Sequence, residues 1–155
     1  MSEAAPPRPS WMIPPVWFAL AVVIMAELNH AAPGLRWLEA PFNWIGLGVM
    51  ALGVALAVWG AGLFRRKGTG IRPFTPVTTL VVEGPYRFTR NPMYLGMVVV
   101  LAGVALFQGS LTPWLVIPLL IWVITARFIR KEEAMLEGLF GEQYRAYRRR
   151  VRRWL

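Results

Sequence analysis

Two arginines stand beside the start of an apolar run, in a stretch from Gly84 to Gly96 that separates two longer apolar segments. Asn91-Pro92 is typical of a helix start, with Asn as the N-cap and Pro at the first helical position. Arg87 and Arg90 then precede a helix N-terminus, whose unpaired N–H groups and partial positive charge favour a carboxylate or phosphate. Alternatively, these arginines fix the orientation of a membrane helix and bind lipid head groups.

A second group of ionisable residues follows the last apolar run, where Glu132 and Glu133 are adjacent. If the helix continues past the membrane, neighbouring side chains point about 100° apart, so we expect only one glutamate to face a given site. Arg130 and Glu133 have the i, i+3 spacing of a helical ion pair. The alternative is a solvated helix face with compensating charges.

Composition indicates a small multi-pass membrane protein. The 155 residues are 56% hydrophobic with a formal net charge of +9, and the mean hydropathy is +0.46, which excludes a disordered chain and disfavours a soluble domain. The arginines flank apolar runs without a basic-aromatic module, so we expect no nucleic-acid partner. The absence of cysteine and the single histidine, His30, exclude thiolate chemistry and predict no metal site.

Four apolar runs predict an all-α integral membrane protein with about four transmembrane helices, formed as a single domain over residues 1–155. The spans cover about residues 11–28, 42–64, 92–108 and 113–128. Gly109-Ser110 predicts a tight turn, so the third and fourth helices should form an antiparallel hairpin. Thr112-Pro113 repeats the cap-then-proline helix start, and Pro118 could kink the fourth helix.

Small residues recur every seven positions in the second run, in two registers. They are Gly46, Gly53 and Gly60 in one register and Gly48, Ala55 and Gly62 in the other. Such a pattern predicts a stripe along which another helix packs closely, and it would equally permit a homo-oligomer. Gly60-Ala61-Gly62 could also let a ligand approach the backbone.

Charge predicts the orientation in the membrane. Lys and Arg cluster after the second and fourth runs, while the loops after the first and third hold only Arg36. The positive-inside rule therefore places both termini and the segment 65–91 in the cytoplasm. Glu27 and His30 lie at the end of the first run, where side chains reaching the interface are a simpler interpretation than a functional site.

Residues 129–155 predict a cytoplasmic extension that ends in an amphipathic helix. Gly141 should end or bend the extension. Beyond it, Tyr144, Tyr147 and Val151 form an apolar stripe, and arginines occupy the opposite face. This pattern is typical of a basic helix on a membrane surface, with the arginines contacting lipid. The tyrosines could also reach back to cover a cofactor.

Together, two motifs resemble a known superfamily. The first is Gly84-Pro85-Tyr86-Arg87 continued by Arg90-Asn91-Pro92-Met93-Tyr94 and Gly96, and the second is Glu132-Glu133 followed by Leu136, Phe140-Gly141, Tyr144 and Tyr147. In this order, separated by a short helical hairpin, they resemble the isoprenylcysteine carboxyl methyltransferase and phospholipid methyltransferase superfamily of integral membrane enzymes. The likeness extends from about Gly60 to the C-terminus. Asn91 stands where prenylcysteine enzymes commonly have His, which argues against a prenylated-cysteine substrate and places the chain nearer the lipid and uncharacterised bacterial-type members.

The resemblance implies a membrane enzyme that transfers the methyl group of S-adenosylmethionine (SAM) to a lipophilic or amphipathic acceptor. Arg90 or Arg130 would position a carboxylate acceptor, and Glu133 would act as the base for an amine acceptor. The implied cofactor-binding residues are Gly60, Gly62, Gly84, Pro85, Tyr86, Arg87, Asn91, Pro92, Tyr94, Gly96, Glu132, Glu133, Tyr144 and Tyr147.

Two other functions use the same features. Membrane sterol reductases have a similar C-terminal arrangement, and an arginine-rich loop would suit the 2′-phosphate of NADPH, although those enzymes usually have more spans. A non-enzymatic lipid-binding membrane module would use the arginines for head groups and the glutamates for ion pairs.

Overall fold

The computed structural model describes residues 13–68 and 78–155, and this part of the chain is helical apart from turns, irregular loops and two isolated β-bridges. The all-α fold class is therefore confirmed. The helices are α1 (Pro14–Ala31), α2 (Ile45–Arg66), α3 (Pro92–Gln108), α4 (Val116–Ile124) and α5 (Arg130–Arg150).

In the part of the chain that the structure describes, three helical stretches are long and apolar enough to cross a membrane: Pro14–Ala31, Phe42–Arg66 and Thr112–Arg150. The shorter α3 is a fourth apolar helix, with the bounds that the sequence predicts. Large apolar side chains such as Leu52 and Trp122 are about two-thirds exposed (65% and 67%) on the outer surface, as expected where lipid replaces water. The chain is thus an integral membrane protein.

The fourth apolar run and the extension form one long helical rod. It begins with a 3₁₀ turn, Thr112–Leu115, and a π-helical turn, Thr125–Ile129, joins α4 to α5. Pro118 lies in the first turn of α4, where a missing N–H is best tolerated. Between α4 and α5 the backbone therefore departs from α-helical geometry at the π turn, shortly before Glu132.

Glycines hold α2 against α3. A Cβ added at Gly53 would lie 2.6 Å from the carbonyl oxygen of Gly96, and one added at Gly103 would lie 2.6 Å from that of Gly46. Gly60 continues the stripe, facing Pro92 and Met93. Such close backbone approach is available only to residues without a side chain, and the first predicted register is confirmed.

The second register does not take part in this packing. Nothing lies within 4 Å of a Cβ added at Gly48 or Gly62, and Ala55 is exposed. The prediction of one common stripe is wrong because a two-residue offset rotates a side chain by about 200° around the helix. Self-association through this outer face stays a prediction.

The predicted turn between α3 and α4 is confirmed. Gly109 has a left-handed backbone (φ 68°) and ends α3, and the carbonyl of Leu38 lies so close that a side chain has no room. The Tyr94 hydroxyl, at the start of α3, bonds to Glu132 beyond the end of α4. The two helices are therefore antiparallel.

Thr112 does not cap α4 as the sequence predicts. Thr112 is the first residue of the 3₁₀ turn, the N-cap of α4 is Leu115, and the Thr112 hydroxyl donates instead to the carbonyl of Ala32, at 2.8 Å. Ser110, fully buried, donates to Asn29 at 2.7 Å. These polar contacts join the turn after α3 to the end of α1, while Glu27 and His30 are exposed there.

The extension bends as predicted. Gly141 interrupts α5 with φ 50° and ψ −121°, a backbone that favours glycine. Beyond the bend Tyr144, Tyr147 and Val151 form a buried cluster, which confirms the apolar stripe. Several arginines of the opposite face pair with Glu137 or Glu142, and their contact with lipid stays a prediction.

Candidate functional site

A cavity lies where the Gly84–Arg87 turn, the start of α3 and both halves of α5 meet. Within the described residues its wall combines two carboxylates, an arginine, an asparagine and four tyrosines with apolar side chains. The lining residues are Phe64, Thr79, Leu80, Val81, Tyr86, Arg90, Asn91, Met93, Tyr94, Glu132, Glu133, Leu136, Tyr144 and Tyr147.

Glu133 is held by two arginines. The Arg153 guanidinium donates two hydrogen bonds to the Glu133 carboxylate, from Nε to Oε1 at 2.8 Å and from Nη2 to Oε2 at 2.6 Å. Arg90 Nη1 lies 3.1 Å from Oε1, and the side chains of Arg90 and Glu133 are only 8% and 11% exposed. Burial alone would raise the pKa of Glu133, but the Arg153 hydrogen bonds and the charge of Arg90 outweigh it and lower this pKa.

The expected helical pair between Arg130 and Glu133 does not form. Arg130 is exposed and does not line the cavity. Arg90 and Arg153 outcompete it because they reach Glu133 from two other parts of the chain, with buried and partly bidentate geometry.

Glu132 has a different environment. Its Oε1 accepts a hydrogen bond from the Tyr94 hydroxyl at 2.8 Å, and no described residue donates to its other oxygen. Burial raises the pKa of Glu132, and the neighbouring charge of Glu133 adds to the rise. Glu132 is therefore the carboxylate whose hydrogen-bonding capacity is left open.

Both glutamates line the same cavity, so the expectation that only one would face it is wrong. Glu132 reaches towards Tyr94 at the start of α3, while Glu133 reaches towards Arg153 in the tail after α5. Neighbouring side chains on one helix can share a site when that site extends around the helix. This cavity does so.

Four buried tyrosines supply the aromatic part of the wall. Tyr147 donates to the backbone carbonyl of Tyr86 at 2.7 Å, and Arg90 Nη1 donates to the Tyr144 hydroxyl at 3.2 Å. The Tyr94 hydroxyl donates to Glu132 and so joins the start of α3 to α5. These bonds hold the second half of α5 over the Gly84–Arg87 turn.

Two polar groups of the wall are buried without a hydrogen-bond partner among the described residues: the Tyr86 hydroxyl and Arg90 Nε. Burial raises the pKa of Tyr86, so its phenol stays protonated and is a hydrogen-bond donor. A buried polar group left unpaired costs about 1–3 kcal/mol. Both donors thus provide capacity that a polar ligand would satisfy.

Asn91 occupies the predicted N-cap position of α3, but its side chain does not cap the helix. Its Nδ2 donates instead to the carbonyl of Arg153 at 2.9 Å, and its backbone N–H donates to the Thr89 hydroxyl at 3.2 Å. A bond to the chain terminus has replaced the local cap.

The structure brings together part of the predicted site. The predicted residues in the wall are Tyr86, Arg90, Asn91, Tyr94, Glu132, Glu133, Tyr144 and Tyr147. Others support it from behind: Gly60 packs on Pro92, Gly84 packs on Leu63, and Gly96 meets α2. Pro85 is buried without lining the cavity, and Arg87 is exposed. Gly62 has open space around it.

Sequence reasoning missed Arg153 and Thr89. Arg153 belongs to a basic run in which nothing distinguishes it from Arg152, and Thr89 has no recognisable local signal. Thr89 is polar but only 1% exposed, and this burial becomes apparent only in the folded structure.

Comparison with known proteins places these features in a family. The model of the family described as phospholipid methyltransferase matches residues 42–143. An uncharacterized protein of Haemophilus influenzae is 41% identical over 63 residues, which are 41% of this chain and 100% of that protein. The protein-S-isoprenylcysteine O-methyltransferase of Schizosaccharomyces pombe is 33% identical over 72 residues, 46% of this chain and 30% of that protein. No solved structure matches.

The family match extends from the 3₁₀ turn before α2 to just beyond the bend at Gly141. It includes Arg90, Tyr94 and both glutamates, and it covers more than half of the chain. The chain is therefore a membrane methyltransferase that belongs to the phospholipid methyltransferase family.

Proposed function

We propose that this protein transfers the methyl group of SAM to a lipophilic or amphipathic acceptor that carries a carboxylate or amine head group. The observation that carries the proposal is the pair of buried donors without partners, the Tyr86 hydroxyl and Arg90 Nε, in a cavity that also contains Glu132. Methyltransferases of this family generally use SAM.

The residues present fit SAM chemically. Its carboxylate would accept hydrogen bonds from Arg90 Nε and the Tyr86 hydroxyl, while Glu132 would accept them from its ammonium or ribose hydroxyls. The tyrosine rings offer faces to the adenine and to the positive sulfonium. When bound, SAM supplies an activated methyl group together with its leaving group, so the protein's task is to align the acceptor and exclude water.

Within this proposal the two glutamates have different roles. A base or a cofactor acceptor needs an accessible lone pair, and both oxygens of Glu133 already receive bonds from cations. We therefore assign Glu132 to the cofactor, or to the proton of an amine acceptor, and Glu133 to holding Arg90. Among the described residues, Arg90 is the cation of the cavity wall that could position a carboxylate acceptor, since Arg130 lies outside that wall.

Calorimetric titration of the protein in detergent tests the proposal. SAM should bind with saturable heat, and NADPH should not compete with it, because the wall offers carboxylates to a cationic cofactor. Binding of NADPH without binding of SAM would overturn the assignment in favour of a reductase. Binding of neither would favour a lipid-binding module.

The Tyr86→Phe variant localises the binding in the same titration. Because the lost hydroxyl has no hydrogen-bond partner among the described residues, thermal stability should stay unchanged or rise. SAM affinity should fall roughly 10- to 100-fold, as expected for the loss of a hydrogen bond to a charged group. Tyr147→Phe is the matched control: it removes a bond to the Tyr86 carbonyl and should lower stability by about 0.5–1.5 kcal/mol. Unchanged SAM affinity in Tyr86→Phe would place the cofactor elsewhere.

We also propose that residues 1–155 form one domain with the cavity and both termini on the cytoplasmic side. Support comes from charge: the cavity end of the helices carries Arg65, Arg66 and the basic part of α5, whereas the loop after α1 holds Arg36 and Glu39.

Cysteine labelling tests this orientation, because the native chain contains no cysteine. A membrane-impermeant maleimide should label Gly138→Cys from the cytoplasmic side only, since Gly138 lies in α5 with open space around it. Leu35→Cys, at a 67% exposed position in the loop after α1, should be labelled from the opposite side. The reverse pattern would invert the proposed topology.

A further inference from the structure

The tail after α5, residues 151–155, lies along the loop that precedes α3. The Arg90 N–H donates to the carbonyl of Arg152 at 3.0 Å. The Thr89 hydroxyl and Asn91 Nδ2 both donate to the carbonyl of Arg153, at 3.1 and 2.9 Å. Three consecutive loop residues thus bond to two consecutive tail carbonyls.

The side chain of Arg153 connects the same tail to the cavity. Its guanidinium makes two hydrogen bonds to Glu133, and Glu133 in turn pairs with Arg90. The contacts therefore close a ring, in which Arg90 is held by its backbone through the tail and by its side chain through Glu133. Nη1 is engaged by Glu133 and Tyr144, and Nε is buried without a hydrogen-bond partner among the described residues.

The tail is anchored on both sides of this ring. Val151, before it, is buried against the Tyr144 and Tyr147 cluster, and Trp154, after it, packs against the main core. Packing and hydrogen bonds to the loop before α3 therefore both hold this segment in place.

We propose that the tail, residues 151–155, is a positioning element of the methyl-transfer site, in which Arg153 holds Glu133 and Arg90 in the arrangement that receives the carboxylate of the cofactor. Arg153 acts through these two residues and does not itself line the cavity. This inference rests on the proposed function.

The charges around Glu133 give the proposal a pH signature. Arg90 faces it from the loop, Arg153 from the tail and Arg148 from α5, with Tyr144 and Glu132 also near. Without Arg153, burial raises the pKa of Glu133 against fewer opposing charges. Glu133 then takes up a proton at a higher pH than in the native protein, and Arg90 loses its ionic partner there.

SAM binding as a function of pH, measured in detergent for Arg153→Gln, Arg153→Lys and Arg152→Gln, tests the positioning role. Arg153→Gln should weaken SAM binding about tenfold or more at neutral pH. As the pH is lowered, its remaining SAM binding should be lost at a higher pH than in the native protein. Arg153→Lys keeps the positive charge but loses the two-point hydrogen bonding of the guanidinium, so its SAM affinity should lie between those of the native protein and Arg153→Gln. Arg152→Gln is the matched control: it keeps the backbone carbonyl that accepts from the Arg90 N–H and changes only an exposed side chain, so it should behave like the native protein.

Hydrogen exchange provides a readout that needs no cofactor. Peptides covering residues 84–96 should exchange faster in Arg153→Gln than in the native protein or Arg152→Gln, because the Arg90 amide is bonded to the tail. If the native protein fails to bind SAM, the proposed function fails even where this exchange difference appears. If it binds SAM and Arg153→Gln matches it in pH profile and exchange, the positioning role is overturned. Should Arg153→Gln not fold, Arg153→Lys decides by the same two measurements.

Discussion

Glu132→Gln should remove most SAM binding and methyl transfer while leaving the fold intact. The glutamine oxygen can still accept the hydrogen bond from Tyr94, so the melting temperature in detergent should stay close to that of the native protein. The lost negative charge removes a charge-assisted hydrogen bond, worth about 1.5–3 kcal/mol, or roughly 10- to 100-fold in the SAM dissociation constant. Calorimetry and a thermal melt on the same preparation measure both effects.

Glu133→Gln should instead lower the stability of the fold more than it directly affects SAM binding. It leaves Arg90, 8% exposed, and Arg153, 33% exposed, without their carboxylate, and breaking such a pair costs about 3–5 kcal/mol when it is fully buried. The partial exposure of Arg153 places the expected loss of stability at or below the lower end of that range. The main effect of Glu133→Gln should therefore be a loss of stability, and SAM binding should weaken as a consequence.

Glu137→Gln controls for loss of charge on the same helix. Glu137 pairs with Arg145 and Arg148, whose side chains are about half exposed, and pairs of this kind contribute about 0–1 kcal/mol. We expect little change in stability or binding. Native SAM affinity in Glu132→Gln, or native stability in Glu133→Gln, would contradict the separate roles of the two glutamates.

The second large effect is expected at the contact between α2 and α3. In Gly53→Ala the new Cβ would lie 2.6 Å from the Gly96 carbonyl oxygen and 2.7 Å from the Val100 nitrogen. Both are backbone atoms within a helix, so relief requires the two helices to separate, at a cost of about 1–3 kcal/mol for overpacking. Thermal unfolding in detergent should show the loss. SAM affinity should also fall, because Tyr94 moves with α3.

Gly48→Ala is the matched substitution on the same helix. Nothing lies within 4 Å of its new Cβ, and Ala is favoured over Gly inside a helix by up to about 1 kcal/mol. This variant should be as stable as the native protein or slightly more stable. Equal destabilisation by the two substitutions would show that the close contact at Gly53 does not limit packing.

Local chemistry accounts for most of the fold. The bounds of α3 follow from Asn91-Pro92 and Gly109, the bend in α5 from Gly141, and the membrane class from apolar length. Each of these depends on backbone conformation or on burial within one segment, so the sequence predicts it directly. The seven-residue glycine spacing predicted a close-packing stripe on α2, but it did not indicate which of the two registers would meet α3.

The hydrogen-bond partners of polar side chains could not be predicted from the local sequence. Asn91 and Thr112 have the residue types of helix caps, yet both bond to backbone carbonyls distant in sequence, those of Arg153 and Ala32. A side chain that can cap its own helix can equally satisfy another buried group, and packing decides between the two.

By itself, therefore, the sequence determined an all-α membrane protein whose arginine loop and glutamate pair belong to one family of methyltransferases. Only the tertiary structure decided that Glu133 is held by Arg90 and Arg153, that Glu132 bonds to Tyr94 instead, and that the tail bonds to the loop before α3. The physical reason is that the chain has 17 basic residues and 8 acidic ones. With so many equivalent cations, the choice of partner depends on which of them folding buries beside the carboxylate.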